Sequence, residues 1–303
     1  MIFTITLNPS IDYVIPIKNL KIGELNYMES DLKLPGGKGI NVSRILAELN
    51  IDSIALGFLG GFTGEFISKW LEKDSVKSDF IRIEGETRIN LKIKSDYETE
   101  INGLGPNIKK EEAELLLNQI KTTTSNDTVI LSGSKPPFLP GNFYTKIIEI
   151  VKANKAQFVI DTTGEALKSA LPYGPLLVKP NLHELEQLFE VKLKNQRDII
   201  HYGKKLLEAG AKHVIVSLAG DGALLVTKDG IYKGTSPKGT VKNSVGAGDS
   251  MIAGFIGEFS HSFDPLEAFK MGIASGSATA FSNDLANKEL ILSLIPEVKV
   301  SRL

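Results

Sequence analysis

Short runs of aliphatic and β-branched residues alternate along most of the chain with segments whose apolar positions recur every three to four residues. The runs are Ile2-Phe3-Thr4-Ile5, Ile54-Ala55-Leu56, Thr128-Val129-Ile130-Leu131, Phe158-Val159-Ile160, Leu176-Leu177-Val178 and Val214-Ile215-Val216. They lack the strict alternation of a strand with one wet face, so each is expected to be covered on both sides. The segments between them, at 41–49, 62–71, 111–120, 143–151, 182–189 and 199–209, have the spacing of helices that bury one stripe. Strand, helix and strand in repetition predict right-handed βαβ units, a parallel sheet and helices on both of its faces. The last third changes character: Lys228-Asp229-Gly230 joins two short apolar runs in a hairpin pattern, and helices are expected near 250–259 and 265–281.

Two stretches, 12–34 and 87–102, break the alternation with short polar-patterned strands and no helix between them. They are expected to form a small β-sheet lid on the α/β body. In the second stretch Arg88, Asn90 and Lys92 fall at period two, so a strand would show all three on one face and Ile89, Leu91 and Ile93 on the other. No repeat of 20 to 50 residues and no Pro/Gly/Ser-rich linker divides the chain, which predicts one domain over residues 1–303 with this lid as its appendage.

Composition then removes whole classes of function. The 35 basic and 36 acidic side chains leave a net charge of −1 with no long block of one sign, so no surface for nucleic acid or an anionic membrane is expected. An anionic ligand must therefore be met by a local site. The chain has no cysteine, which rules out disulfides, thiolate metal sites and cysteine nucleophiles and fits a reducing, cytoplasmic setting. Residues 1–7 carry no basic stretch, and no apolar run approaches the ~18 residues of a membrane span.

Five glycine-rich or strand-terminal motifs could carry chemistry. Ser244-Val245-Gly246-Ala247-Gly248-Asp249-Ser250 runs into a helix, where free N–H groups and the helix dipole suit an anion. Its spacing is neither a Walker A loop nor G-x-G-x-x-G, and the alternative is a tight turn with Asp249 as helix N-cap. Gly36-Gly37-Lys38-Gly39-Ile40-Asn41 brings a cation and an amide to another helix start, or is a turn with a solvated lysine. Upstream, Asn8-Pro9-Ser10-Ile11-Asp12 sets a carboxylate just past the first strand, as a sugar-hydroxyl acceptor or an Asx turn. Lys179-Pro180-Asn181-Leu182-His183-Glu184 ends one strand with capping-box spacing, and Ser217-Leu218-Ala219-Gly220-Asp221-Gly222 ends another with a turn that a nucleotide could cross. Asp161 also closes a strand and rivals Asp249 as the key carboxylate. The four histidines show no metal-ligand spacing, and no serine sits in a Gly-x-Ser-x-Gly elbow.

Taken in this order, the Gly36–Asn41 and Ser244–Phe255 motifs resemble the two signatures of the PfkB carbohydrate kinases, about 200 residues apart. The resemblance extends to Thr6-Leu7-Asn8-Pro9-Ser10-Ile11-Asp12, Arg88-Ile89-Asn90-Leu91-Lys92-Ile93, Leu131-Ser132-Gly133-Ser134 and Ala274-Ser275-Gly276-Ser277-Ala278-Thr279-Ala280, and points to the phosphosugar branch. It implies a ribokinase-like α/β/α sandwich and transfer of the γ-phosphoryl of ATP to a ketose phosphate. Fructose 1-phosphate, taken at its 6-hydroxyl, is the expected acceptor and tagatose 6-phosphate the alternative; a non-catalytic sugar-phosphate or nucleotide sensor is the reading from another class. A kinase for an unphosphorylated sugar would leave Arg88 and Lys92 without an anion.

The same resemblance implies roles for individual residues. Asp249 would be the base, over an anion hole of Gly246, Ala247 and Gly248; at a helix N-terminus its pKa is expected to be low. Asp12, Gly36, Gly37, Lys38, Asn41, Asn90 and Ser134 would hold the sugar, with Arg88 and Lys38 on its phosphate. Lys179 and the 217–222 turn (Ser217, Leu218, Ala219, Gly220, Asp221, Gly222) would line the ATP site. Asn181 and Glu184 would act through water on the Mg2+ that accompanies ATP. The family often pairs through its lid, a possible homodimer here, although no exposed apolar stripe is evident in the sequence. Lys135 and Phe138 depart from the family's Ser-Gly-Ser-Leu-Pro-Pro-Gly, which puts an extra cation close to the expected phosphate.

Overall fold

The computed structural model describes residues 1–303. In chain order its strands are β1 (Ile2–Thr6), β2 (Ser10–Pro16), β3 (Leu32–Gly36), β4 (Ser53–Gly60), β5 (Ile81–Ile83), β6 (Arg88–Lys94), β7 (Glu98–Asn102), β8 (Thr128–Ser132), β9 (Gln157–Asp161), β10 (Leu177–Val178), β11 (His213–Ser217), β12 (Ala223–Thr227), β13 (Gly230–Gly234) and β14 (Val300–Arg302). Its helices are α1 (Lys38–Glu48), α2 (Gly61–Lys73), α3 (Lys110–Ile120), α4 (Phe143–Ala153), α5 (Gly164–Ala170), α6 (Leu182–Phe189), α7 (Gln196–Glu208), α8 (Ala247–Ser262), α9 (Pro265–Ala280) and α10 (Lys288–Leu294).

A ten-stranded sheet runs β14-β13-β12-β11-β10-β9-β8-β1-β4-β5. The seven strands from β11 to β5 are parallel, and β12, β13 and β14 add an antiparallel edge. The expected alternation is realised strand by strand. Val129 and Leu131 of β8 enter a core with Leu116, Ile147 and Leu206 from α3, α4 and α7. Ile130 between them enters a second core with Val42, Phe255 and Phe269 from α1, α8 and α9. A strand whose successive side chains point into two different cores must be apolar throughout, which is why these runs carry no polar alternation. No helix is long and apolar enough to cross a membrane.

The second sheet, β3-β2-β6-β7, comes from the two stretches that break the βαβ pattern. Strands β2 and β6 pair in parallel from Ser10↔Arg88 to Pro16↔Lys94, flanked by antiparallel β3 and β7. The period-two reading of β6 holds. The polar face is the covered one, with Asn90 7% and Lys92 8% exposed, because it turns toward the ends of the large sheet. The apolar face looks outward: Ile89 is 39% and Ile101 54% exposed, beside half-buried Tyr13 and Leu91. The expectation of no exposed apolar stripe is therefore corrected.

Close packing of α8 on α9 seats one end of the site. Gly254 of α8 lies against α9, where a Cβ would come within 2.7 Å of the Met271 carbonyl oxygen and also collide with Ser275 Oγ. Overpacking at such a crossing costs about 1–3 kcal/mol. Gly254→Val is expected to lower Tm by several degrees, whereas Gly141→Ala, with nothing within 4 Å of its added carbon, leaves Tm unchanged; differential scanning calorimetry compares the two.

Candidate active site

The large sheet ends at the site. Thr6, Ser132, Asp161 and Ser217 are the last residues of β1, β8, β9 and β11, Lys179 follows β10, and all five line one cleft of about 720 Å3. Ligands of open parallel sheets bind outside these carboxyl ends, where strand-to-helix turns leave backbone and short polar side chains free. The starts of α1, α6 and α8 form the floor and walls, and the polar face of the small sheet forms the roof.

Asp249 is the third residue of α8 and is 7% exposed. The N-cap is Gly246, at φ 80, so the reading of Asp249 as a cap is corrected. Its Oδ2 instead accepts a hydrogen bond from Asn41 Nδ2 at 2.8 Å, across from α1. Burial, followed by the nearby Asp161 carboxylate, pushes the Asp249 pKa up to about 7 against the opposing pull of Asn41, Lys38 and Lys179. The expected low pKa is thereby overturned, because desolvation and a like charge outweigh the helix dipole here.

Asp161 has the opposite fate. It is 4% exposed, with Lys38 Nζ at 2.9 Å from Oδ2 and Lys179 Nζ at 3.9 Å from Oδ1. Burial alone would push its carboxyl up, but Lys179 and Lys38 outweigh that and hold it below the usual carboxylate range. In turn, Asp161 overcomes the desolvation of Lys38 and pushes that ammonium above its ordinary value.

The cleft is lined by four cations, Lys38, Arg88, Lys92 and Lys179. Three are matched: Lys38 and Lys179 by Asp161, and Lys92 by Asp12 at 3.3 Å and Glu100 at 3.7 Å. Arg88 alone has no carboxylate partner. Its Nε and Nη2 donate to the Asn8 carbonyl at 3.2 and 3.0 Å and its Nη1 to the Gly103 carbonyl at 2.9 Å, which fixes the guanidinium without neutralising it. At the start of α8 the Ala247 N–H donates back to Ser244 O at 3.3 Å, while the Gly246, Gly248 and Asp249 amides have no partner in the protein. Lys179 Nζ sits against Gly248, within 2.9 Å of where a Cβ would be. The open donors are thus Gly246, Gly248 and Asp249, two of them among the three expected.

Most residues singled out by sequence meet here. Asp12, Gly37, Lys38, Asn41, Arg88, Asn90, Ser134, Lys179, Asn181, Glu184, Ser217, Gly246, Gly248 and Asp249 all border the cleft. Gly36 and Ala247 lie behind it, and Leu218, Ala219, Gly220, Asp221 and Gly222 form a turn beyond Ser217 outside its lining. Asn181 and Glu184 make the capping box of α6, with Asn181 Oδ1 accepting the Glu184 N–H at 2.8 Å and Glu184 Oε2 the Asn181 N–H at 2.9 Å. Lys135 is not in the cleft; its Nζ donates to Leu139 O at 2.9 Å within its own loop, so the extra cation is spent locally. Sequence assigned no place in the site to Glu100, Asn102, Thr162 or Thr163, which line it too; Glu100 is brought there by the register of the folded sheet, which sets it opposite Lys92.

A pKa raised in the folded state from an ordinary value near 3.8 means that folding favours the protonated Asp249, so its contribution to stability falls as pH rises from about 4 to about 7. Asp249→Asn carries no such charge. Its Tm is expected to exceed that of wild type at pH 8, with the gap narrowing as pH falls and closing near pH 4, in parallel melting curves.

Residues 5–290 match the model of the pfkB family carbohydrate kinases. The chain is 49% identical over its full length, and that of the relative, to a 1-phosphofructokinase of Bacillus subtilis (strain 168). It is 34% identical, over 92% of each chain, to a tagatose-6-phosphate kinase of Staphylococcus epidermidis. Among solved structures, phosphofructokinase-2 of Escherichia coli in complex with substrates and products superposes at a TM-score of 0.92, with 28% identity and 98% of both chains covered. An α/β sheet whose strand ends and helix starts gather carboxylates, lysines and free amides under a β-roof is thus accounted for: the chain belongs to the PfkB family of carbohydrate kinases and has its ribokinase-like fold.

Proposed function

We propose that this chain transfers the γ-phosphoryl group of ATP to the 6-hydroxyl of fructose 1-phosphate, giving fructose 1,6-bisphosphate and ADP. The observation that carries this reading is the unmatched charge of Arg88. A cleft with one free, rigidly held cation favours an acceptor bearing one phosphate, and the full-length similarity to a 1-phosphofructokinase supports the 1-phosphate. Tagatose 6-phosphate is the second acceptor to consider, given the more distant similarity to its kinase.

In this reading Arg88 holds the sugar phosphate, aided by Lys38, while Asp12, Gly37, Asn90 and Ser134 surround the sugar and Gly36 shapes the strand beneath Asp12. Asn41 fixes the rotamer of Asp249 through its 2.8 Å hydrogen bond and so aims the carboxylate at the reacting hydroxyl. The sugar oxygen bonds to the γ-phosphorus as the bond to the ADP oxygen breaks, and the hydroxyl proton passes to Asp249. A carboxylate with a pKa near 7 is better matched to that transfer than an ordinary one. The transferring phosphoryl is loose and electron-poor, so alignment and charge stabilisation by the Gly248 and Asp249 amides and by Lys179 supply most of the catalysis. The nucleotide extends over Ser217 and the turn that follows. No cluster of three acidic or histidine side chains could hold a resident ion, so the residues fit a Mg2+ that arrives with the ATP phosphates, near Asn181 and Glu184. Bound there, it would neutralise phosphate charge.

Residues 1–303 act as one cytoplasmic kinase domain, with the small sheet as a lid over the sugar. The outward apolar face of that lid, with Ile89 and Ile101 at its centre, supports a homodimer formed lid to lid.

Four acceptors decide the function: a coupled ADP-release assay with Mg-ATP is expected to give the highest kcat/KM for fructose 1-phosphate over tagatose 6-phosphate, fructose 6-phosphate and fructose. Absence of turnover with all four, in folded protein, favours the sensor reading. In the same assay Asp249→Asn is expected to lower kcat by at least ~10²-fold with ATP binding retained. Arg88→Ala is expected to raise KM for the sugar phosphate about 10- to 100-fold with a small change in kcat, the loss of a charge-assisted bond; an unchanged KM would place the phosphate elsewhere.

A further inference from the structure

Beyond Asn90 on the lid strand β6 lies a buried cation that the catalytic scheme leaves unused. Lys92 is 8% exposed, and its Nζ sits between Asp12 Oδ2 at 3.3 Å and Glu100 Oε1 at 3.7 Å. Asp12 is further gripped at Oδ1 by the Ser10 hydroxyl at 2.8 Å and by Asn90 Nδ2 at 3.0 Å. Resting on the kinase reading above, we propose that Lys92 is a positioning residue for the sugar. Its ammonium, held in place by Glu100 across the sheet, fixes the Asp12 carboxylate in the orientation that accepts a hydroxyl of the ketose phosphate.

The argument is one of available lone pairs and of charge. A carboxylate offers about four acceptor positions, and Ser10, Asn90 and Lys92 engage three, leaving one defined direction on Oδ2 for a hydroxyl. With Lys92 removed, Oδ2 loses its only partner and the carboxylate is held through Oδ1 alone, which leaves the direction of Oδ2 less defined. The charge effect runs the same way. Asp12 and Glu100 would then face the cleft as two unpaired anions close to a phosphorylated sugar, and such like-charge contact weakens binding of that ligand in particular. The two carboxylates also explain why Lys92 leaves the phosphate to Arg88: an ammonium flanked by two anions would have to give up both to take a third. A merely structural lysine would need no alignment with Asp12, because Glu100 lies directly opposite it in register on β7 and would suffice as a partner.

The test is steady-state kinetics of Lys92→Met, Lys92→Arg and Glu100→Gln, with KM measured separately for fructose 1-phosphate and ATP. Lys92→Met is expected to raise the sugar-phosphate KM at least about tenfold, with kcat within about threefold and the ATP KM within about twofold. Lys92→Arg, which keeps the charge, is expected to recover most of the loss, and Glu100→Gln to raise the sugar KM a few-fold. Combined with Asp12→Asn, the Lys92→Met change is expected to add little, since both act through one carboxylate. An unchanged sugar KM in Lys92→Met, equal losses for both substrates, or full additivity with Asp12→Asn overturns the proposal. Should Lys92→Met fail to fold, Glu100→Gln decides, and an unchanged sugar KM there overturns it as well. Wild-type turnover that prefers another ketose phosphate overturns the acceptor assigned above, and the same series on the preferred acceptor then reads Lys92. Failure of any ketose phosphate to bind wild type overturns both.

Discussion

Two carboxylates are buried against one cleft, and the site depends on their being kept unequal. Asp161 and Asp249 are each less than a tenth exposed, and two negative charges in such a place repel each other with little water to screen them. Lys38 and Lys179 resolve the conflict by standing beside Asp161 rather than Asp249. Asp161 stays charged, and its charge joins burial in raising the pKa of its neighbour. That asymmetry comes from the fold. Strands β9 and β10 are adjacent, about 4.8 Å apart, so the lysine that follows one reaches the aspartate that closes the other. Helix α1 begins with Lys38 and, three residues later, offers Asn41, which reaches Asp249 from the same side.

The charge of the cleft follows a similar economy. Five acidic and four basic side chains line it, so it does not attract anions by bulk charge, in keeping with a chain whose net charge is −1. Attraction is confined to places where a cation is unmatched or an amide is unpartnered: Arg88 on the lid side and the start of α8 on the floor. A polyanionic nucleotide and a sugar phosphate can share this space only if their own charges are kept apart and partly neutralised. This gives a metal ion carried by the nucleotide a purpose that no acidic cluster of the protein needs to serve.

Much of this was legible in the sequence, and the limits have physical causes. The βαβ body could be read because strands covered on both sides leave an unmistakable apolar run, as at Thr128-Val129-Ile130-Leu131. The site could be located because Gly246 and Gly37 stand where the backbone takes positive φ at helix starts, 80° and 122°. Protonation could not be read. The helix dipole predicts a low pKa for Asp249, and only the placement of Asp161, far away in sequence, shows that desolvation and repulsion win. Pairing was equally hidden: Lys135 looks like a phosphate ligand until its ammonium is found on Leu139 O, and Glu100 looks like a surface acid until register sets it opposite Lys92.

The lid shows why burial is a property of the assembled chain rather than of a pattern. Period-two alternation on β6 fixes which residues share a face, yet it is silent on which face is covered. Ordinary reasoning puts Ile89, Leu91 and Ile93 inside. The structure puts Arg88, Asn90 and Lys92 inside, and this is sustainable because each finds partners there: carbonyls for Arg88, Ser10 and Asp12 for Asn90, and two carboxylates for Lys92. A sheet with a satisfied polar face turned inward must turn its apolar face to the outside. The exposed isoleucines of the lid are therefore the consequence of building a polar roof from a sheet only one layer thick, whose apolar face α2 covers at Ile11 and leaves open at Ile89 and Ile101.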